Sequence, residues 1–211
     1  DDEVLGVGGT IAKYVAAGHN VYVCIVTKGC SPLFKPEDVA QVRSECRMAD
    51  DILGVKKIYF LDFPAAMLED VPRYKLNDAI AHVVHEIKPD EVYLPHRGDM
   101  QIDHKMIVDA SMVALRPKYK HIVKRILAYE TLSETGWDVP NTVNEFIPTV
   151  YNDISDFLEK KIEALNLFST QIAEFPNARS IQAVRALAMY RGATVNIAAA
   201  EAFSLIREIK K

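Results

Sequence analysis

The sequence predicts an α/β fold built on a Rossmann-like, doubly wound and mostly parallel sheet. Two observations predict it. Strand-like and helix-like segments alternate through the first 116 residues, the pattern of successive βαβ units. The strand-like runs are also continuously apolar and β-branched, which suits strands buried on both faces. Helices are then expected on both faces of the sheet, and ligands beyond the carboxyl ends of its strands. A chain of 211 residues, 49% hydrophobic and 26% charged, suffices for one globular domain with its own core.

Asp1, Asp2 and Glu3 stand before an apolar, small-residue run and read as a helix start, with Gly18 as its stop. Val21 to Thr27 reads as a buried strand, and Lys28 to Pro36 as a loop. Glu37 to Leu53 is predicted helical, ended by Gly54, and Lys57 to Leu61 is a short strand. Tyr74 to Lys88 is an amphipathic helix with Leu76, Ile80, Val83 and Ile87 on one face. Glu91 to Leu94 is a strand, Asp103 to Leu115 a helix and Arg125 to Glu130 a strand. Val150 begins or ends another short strand. Ile154 to Phe168, Ile181 to Tyr190 and Ala193 to Lys210 read as helices, giving a helical C-terminal portion. A parallel α/β fold normally feeds its first helix from a strand, so a strand preceding Asp1 is expected upstream of this sequence.

Charge and cysteine content exclude several classes. The net charge is -4, and the densest basic stretch, Lys118 to Arg125, is short and reads as a solvated loop or helix end. No nucleic-acid partner is expected. No apolar run reaches the roughly 18 residues of a membrane span. The three cysteines form no C-x-x-C pair, so neither a disulfide framework nor a zinc knuckle is indicated, and a reducing cytoplasm is the expected compartment. No signal peptide is visible, although the sequence opens at Asp1 without a methionine.

Three segments carry the chemistry. Gly6-Val-Gly-Gly-Thr10 invites a dinucleotide reading, but Ile11 stands where the third glycine of G-x-G-x-x-G belongs. Small helix residues packing closely on a sheet are the favoured reading. The run Tyr93-Leu-Pro-His-Arg-Gly-Asp-Met-Gln-Ile-Asp-His104 leaves a strand end and enters a helix, where an open α/β sheet keeps its site. The acids Asp1, Asp2 and Glu3 are explained either by the helix dipole or by a bound cation. Together the two clusters are more specific. Catalytic zinc takes three protein ligands from histidine and carboxylate and leaves one position for water. Asp2 and His104 supply two ligands, and Asp1 supplies a base beside them.

These residues resemble the N-acetylglucosaminyl-phosphatidylinositol de-N-acetylase family, also called PIG-L or LmbE-like. Its hallmark is Ala-His-Pro-Asp-Asp-Glu followed by a glycine-rich helix start, and this chain begins at the Asp-Asp-Glu. Further similarity lies in Asp103-His104, Val42-Arg43-Ser44-Glu45, Leu53-Gly54-Val55, Arg191-Gly192 and Glu201-Ala202-Phe203, spread over nearly the whole chain. The resemblance implies a single deacetylase domain over residues 1–211, acting on a small amino-sugar conjugate as a homo-oligomer with Zn2+ as cofactor. It implies that Asp1 is the general base, that Asp2 and His104 bind zinc, and that a histidine two places before Asp1 is the third ligand. Asp103 would orient or charge the site. Arg43, His96 and Asp99 are the candidates for contacting substrate. Many members carry a histidine three places before the zinc histidine, and here that place is Gln101. Glutamine can donate to an oxyanion but cannot titrate near neutrality. The alternative to an enzyme is a Rossmann-like module that binds a sugar or nucleotide without turnover.

Overall fold

A computed structural model describes every residue except Tyr119 and Lys211. The expectation placed on the basic stretch 118–125 therefore falls partly outside the described residues. The chain runs α1 (Asp2–Ala16), β1 (Tyr22–Lys28), α2 (Pro36–Leu53), β2 (Lys57–Pro64), α3 (Arg73–Ile87), β3 (Glu91–Pro95), α4 (Ile102–Ala114), β4 (Arg125–Tyr129), β5 (Val150–Asp153), α5 (Leu158–Leu165), α6 (Ile181–Ala193) and β6 (Ala200–Glu208). The helix ends fall where their chemistry puts them. Gly54 caps α2 in the left-handed conformation at φ 81°, and Lys88 ends α3 the same way before Pro89.

The strands form a parallel pair, β1–β2, and a four-stranded sheet in the order β3–β4–β6–β5. β3 and β4 are parallel, whereas β6 runs antiparallel to both its neighbours. Helices gather in two groups. Residues of α1, α2 and α5 share one apolar cluster with Leu127, Tyr129 and Phe203 of the sheet. Residues of α3 and α4 fill another with Val26 of β1.

Two expectations need correction at the C-terminal end. Ala193 to Lys210 is not a helix; its core is the strand β6. The alanine-rich start favours a helix only weakly, and pairing on both edges overrides that preference. The helix expected over Ile154 to Phe168 is shortened to Leu158–Leu165, because Ile154 hydrogen-bonds to Ala199 at the end of the sheet.

The glycines of α1 serve packing. A Cβ on Gly6 would overlap the ring of Tyr129, and one on Gly9 would come within 2.8 Å of Ile154. A buried ion pair pins the same helix. Glu201 of β6 accepts from the backbone N–H groups of Gly9 (2.9 Å) and Thr10 (2.7 Å). Lys161 of α5 donates to Glu201 at 2.6 Å and to the Leu5 carbonyl at 2.7 Å. Leu5 O is the acceptor that Gly9 N–H takes in a regular α-helix, so the ion pair contacts both ends of one rung of α1, which runs unbroken from Asp2 to Ala16.

Candidate functional site

The site lies where the first turn of α1 meets the loop between β3 and α4. Pro95 ends β3, the loop turns through His96 to Met100, and Gln101 is the N-cap of α4. His104 therefore sits in the first turn of α4 and Asp2 in the first turn of α1. Their side chains meet across the gap: His104 Nε2 is 3.2 Å from Asp2 Oδ2. On the other ring nitrogen, His104 Nδ1 is 2.7 Å from Asp99 Oδ2. Asp99 is fully buried and its second oxygen accepts from the Thr135 hydroxyl at 2.6 Å.

This arrangement fixes the electrostatics. Burial opposes a charged imidazole, but hydrogen bonds to Asp2 and Asp99 outweigh it and push the His104 pKa up to about 10. Burial likewise opposes an ionised Asp2. The His104 bond, the His104 charge and the Arg179 guanidinium act against it and hold that carboxyl below the usual range. Burial pushes the nearby Glu134 carboxyl upward, and the charge of Asp2 adds to the effect.

The remaining sequence candidates take other places. Asp1 Oδ2 accepts from Arg179 Nη1. Gln101 caps α4 with its backbone, and its side chain makes no capping bond. Asp103 does not touch the His104 ring; its Oδ2 accepts from the Ala66 N–H at 2.7 Å, and its Oδ1 is buried with no hydrogen-bond partner. Adjacent residues on a helix point about 100° apart, which turns Asp103 away while Asp99, reaching back from the loop, takes the ring nitrogen. His96 Nε2 lies 3.0 Å from Asn144 O, with Phe146 edge-on to its ring. Arg43 pairs with Asp62 and lies 4.6 Å over the Phe60 ring.

Arg179 and the turn Thr131–Thr135 join the site without any signal in the sequence. Ser133 and Thr135 of that turn contact Arg179 and Asp99 respectively. A second acidic group, Glu3, Cys46 and Asp50, brings its donor atoms within 4.8 Å of one another. Burial and the charge of Glu3 push the Asp50 pKa up to about 8, and Asp50 Oδ1 is buried without a hydrogen-bond partner.

Asp2 and His104 offer one carboxylate oxygen and one imidazole nitrogen at a spacing that an ion pair and two zinc ligands share. Bonds of about 2.0–2.2 Å to zinc in tetrahedral geometry place neighbouring N and O donors roughly 3.3–3.5 Å apart, and the pair stands at 3.2 Å. A carboxylate on the far nitrogen of a ligating histidine is the usual partner that sets its tautomer, and Asp99 occupies that place.

Known proteins are similar to this chain in sequence and in fold. The family model described as PIG-L, GlcNAc-PI de-N-acetylase, matches residues 1–115. The uncharacterized deacetylase YaiS of Escherichia coli K12 is 29% identical over 174 residues, covering 78% of this chain and 83% of that protein. The diacetylchitobiose deacetylase of Thermococcus kodakarensis is 27% identical over 206 residues, covering 91% of this chain and 74% of its own. Among solved structures, the conserved protein TT1542 of Thermus thermophilus superposes with a TM-score of 0.78 at 24% identity, over 100% of this chain and 92% of that one. No described helix is long and apolar enough to cross a membrane.

Proposed function

The chain belongs to the PIG-L family of GlcNAc-PI de-N-acetylases, and on that premise we propose that it hydrolyses the N-acetyl amide of an N-acetylglucosamine-type conjugate at a zinc ion held by Asp2 and His104, with the histidine that the family hallmark carries two places before Asp1 as third ligand. The observation that carries the reading is the His104 ring, set between Asp2 at 3.2 Å and Asp99 at 2.7 Å. The diacetylchitobiose deacetylase among the relatives supports a sugar acetamide as the reacting group.

Bound zinc supplies Lewis-acid polarisation of the amide carbonyl and an acidified water. The residues of the chain do the rest. Asp99 holds the His104 tautomer with Nε2 facing Asp2. Asp1, at the N-cap of α1 beside Asp2, takes the proton of the attacking water. The Gln101 amide, at the start of α4, donates to the developing oxyanion. Because Gln101 cannot titrate near neutrality, the proton taken by Asp1 is the one returned to the departing nitrogen. The C–N bond breaks, water supplies one oxygen of acetate, one of its protons passes through Asp1 to the departing nitrogen and the other is released to solvent, and a free amine leaves.

The test is amine release from N-acetylglucosamine conjugates in the presence of Zn2+. Asp1→Asn and His104→Ala are each expected to lower turnover at least about a hundredfold. Near-normal turnover by either variant, folded by circular dichroism, overturns the assignment.

A further inference from the structure

Arg179 stands in the segment between α5 and α6, one residue before the N-cap Ser180. Its guanidinium touches both aspartates at the start of α1: Nη1 donates to Asp1 Oδ2, and Nη2 lies 3.3 Å from Asp2 Oδ1. Two further groups hold the fork in place. Nε donates to Ser133 Oγ at 3.1 Å, and Nη1 also reaches Gln171 Oε1 at 3.4 Å. The stretch carrying Gln171 is itself anchored, because the hydroxyls of Ser169 and Thr170 each donate at 2.7 Å to the buried Glu45 of α2.

The two oxygens of Asp2 are thereby divided. Oδ2 faces His104 and Oδ1 faces Arg179. Asp1 is drawn to the same guanidinium, away from His104. Without this cation, two adjacent carboxylates at one helix start would both be available to a divalent ion. A planar five-donor fork is suited to holding two carboxylates apart in fixed directions, which a lysine ammonium is not.

We propose that Arg179 is a positioning residue that separates the roles of the two aspartates: it keeps Asp1 out of the metal's coordination shell and competes with the metal for Asp2. The proposal rests on the zinc reading above. Its consequence runs against simple loss of function. Removing the guanidinium takes a positive charge away from the metal and frees Asp1 to bind it, so affinity rises while turnover falls.

The experiment measures Zn2+ affinity by chelator competition, and the absorption spectrum of the Co2+-substituted protein, for the wild-type chain, Arg179→Gln and Arg179→Lys. Arg179→Gln is expected to bind Zn2+ at least about tenfold more tightly, as loss of a like charge in the site requires, with a changed Co2+ spectrum as Asp1 joins the shell. Its kcat falls more than its KM changes. Arg179→Lys, which keeps the charge and lacks the fork, falls between and serves if the glutamine variant does not fold. Wild-type metal binding with unchanged or weaker affinity in both variants overturns the role given to Arg179 and leaves the zinc reading standing. A full-length wild-type protein, carrying the residues upstream of Asp1, that takes up no Zn2+ overturns the zinc reading, and this proposal with it.

Discussion

Replacing Glu201 by glutamine tests how α1, and with it Asp1 and Asp2, is held. Glu201 and Lys161 are only 4% and 3% exposed, so neither charge is screened by water. The carboxylate accepts from Gly9 N–H, Thr10 N–H and Lys161 Nζ, all within 2.9 Å. Glutamine retains one acceptor oxygen. It loses the second, loses the negative charge, and turns an amide group towards donors. Lys161 is left as a buried cation with neutral acceptors and no anionic partner. Breaking a buried pair in this way costs about 3–5 kcal/mol, which for a domain of this size lowers the melting temperature by about 6–20 °C. Urea unfolding followed by circular dichroism measures the loss directly. The double variant Glu201→Gln with Lys161→Met removes both charges and recovers part of the stability. A loss below about 1 kcal/mol, the range of an exposed pair, would refute the claim that this buried pair pins α1.

Two further outcomes follow from the site. Asp99→Asn removes the acceptor that fixes the His104 ring and is expected to weaken Zn2+ binding by about 10–100-fold; calorimetry showing unchanged affinity contradicts the orienting role. In the metal-free chain the His104 pKa is raised from 6.5 to about 10. A raised folded-state pKa contributes stability that is fully present below 6.5 and is lost as pH rises through about 10. The imidazole resonances of His104 should therefore not titrate between pH 6 and 8, and a midpoint near 6.5 contradicts the Asp2–His104–Asp99 geometry.

Much of the site is legible in the sequence because its two halves sit at helix starts. Asp2 and His104 stand in the first turns of α1 and α4, and acid clusters or polar loops before apolar helical runs mark such places. The glycines of α1 read as close packing, and the contacts of Gly6 and Gly9 with Tyr129 and Ile154 fit that reading. The partner of His104 is harder to find. Adjacency in sequence favours Asp103, but helix geometry turns neighbours apart, and Asp99 reaches the ring from the preceding loop. Arg179 carries no signal at all, since it lies 177 residues from Asp2 in an irregular segment with no periodicity to mark it. β6 resembles a helix because its alanines and spaced apolar residues suit one locally, while the pairing that makes it a strand comes from β4 and β5.

The proposed site requires that Asp2 and His104 share one metal ion. An anomalous difference map recorded at the zinc edge from crystals grown with Zn2+ tests it most directly. A shared ion predicts a peak about 2.0–2.2 Å from His104 Nε2 and an Asp2 carboxylate oxygen. A peak among Glu3, Cys46 and Asp50 instead, or none beside His104, would contradict it.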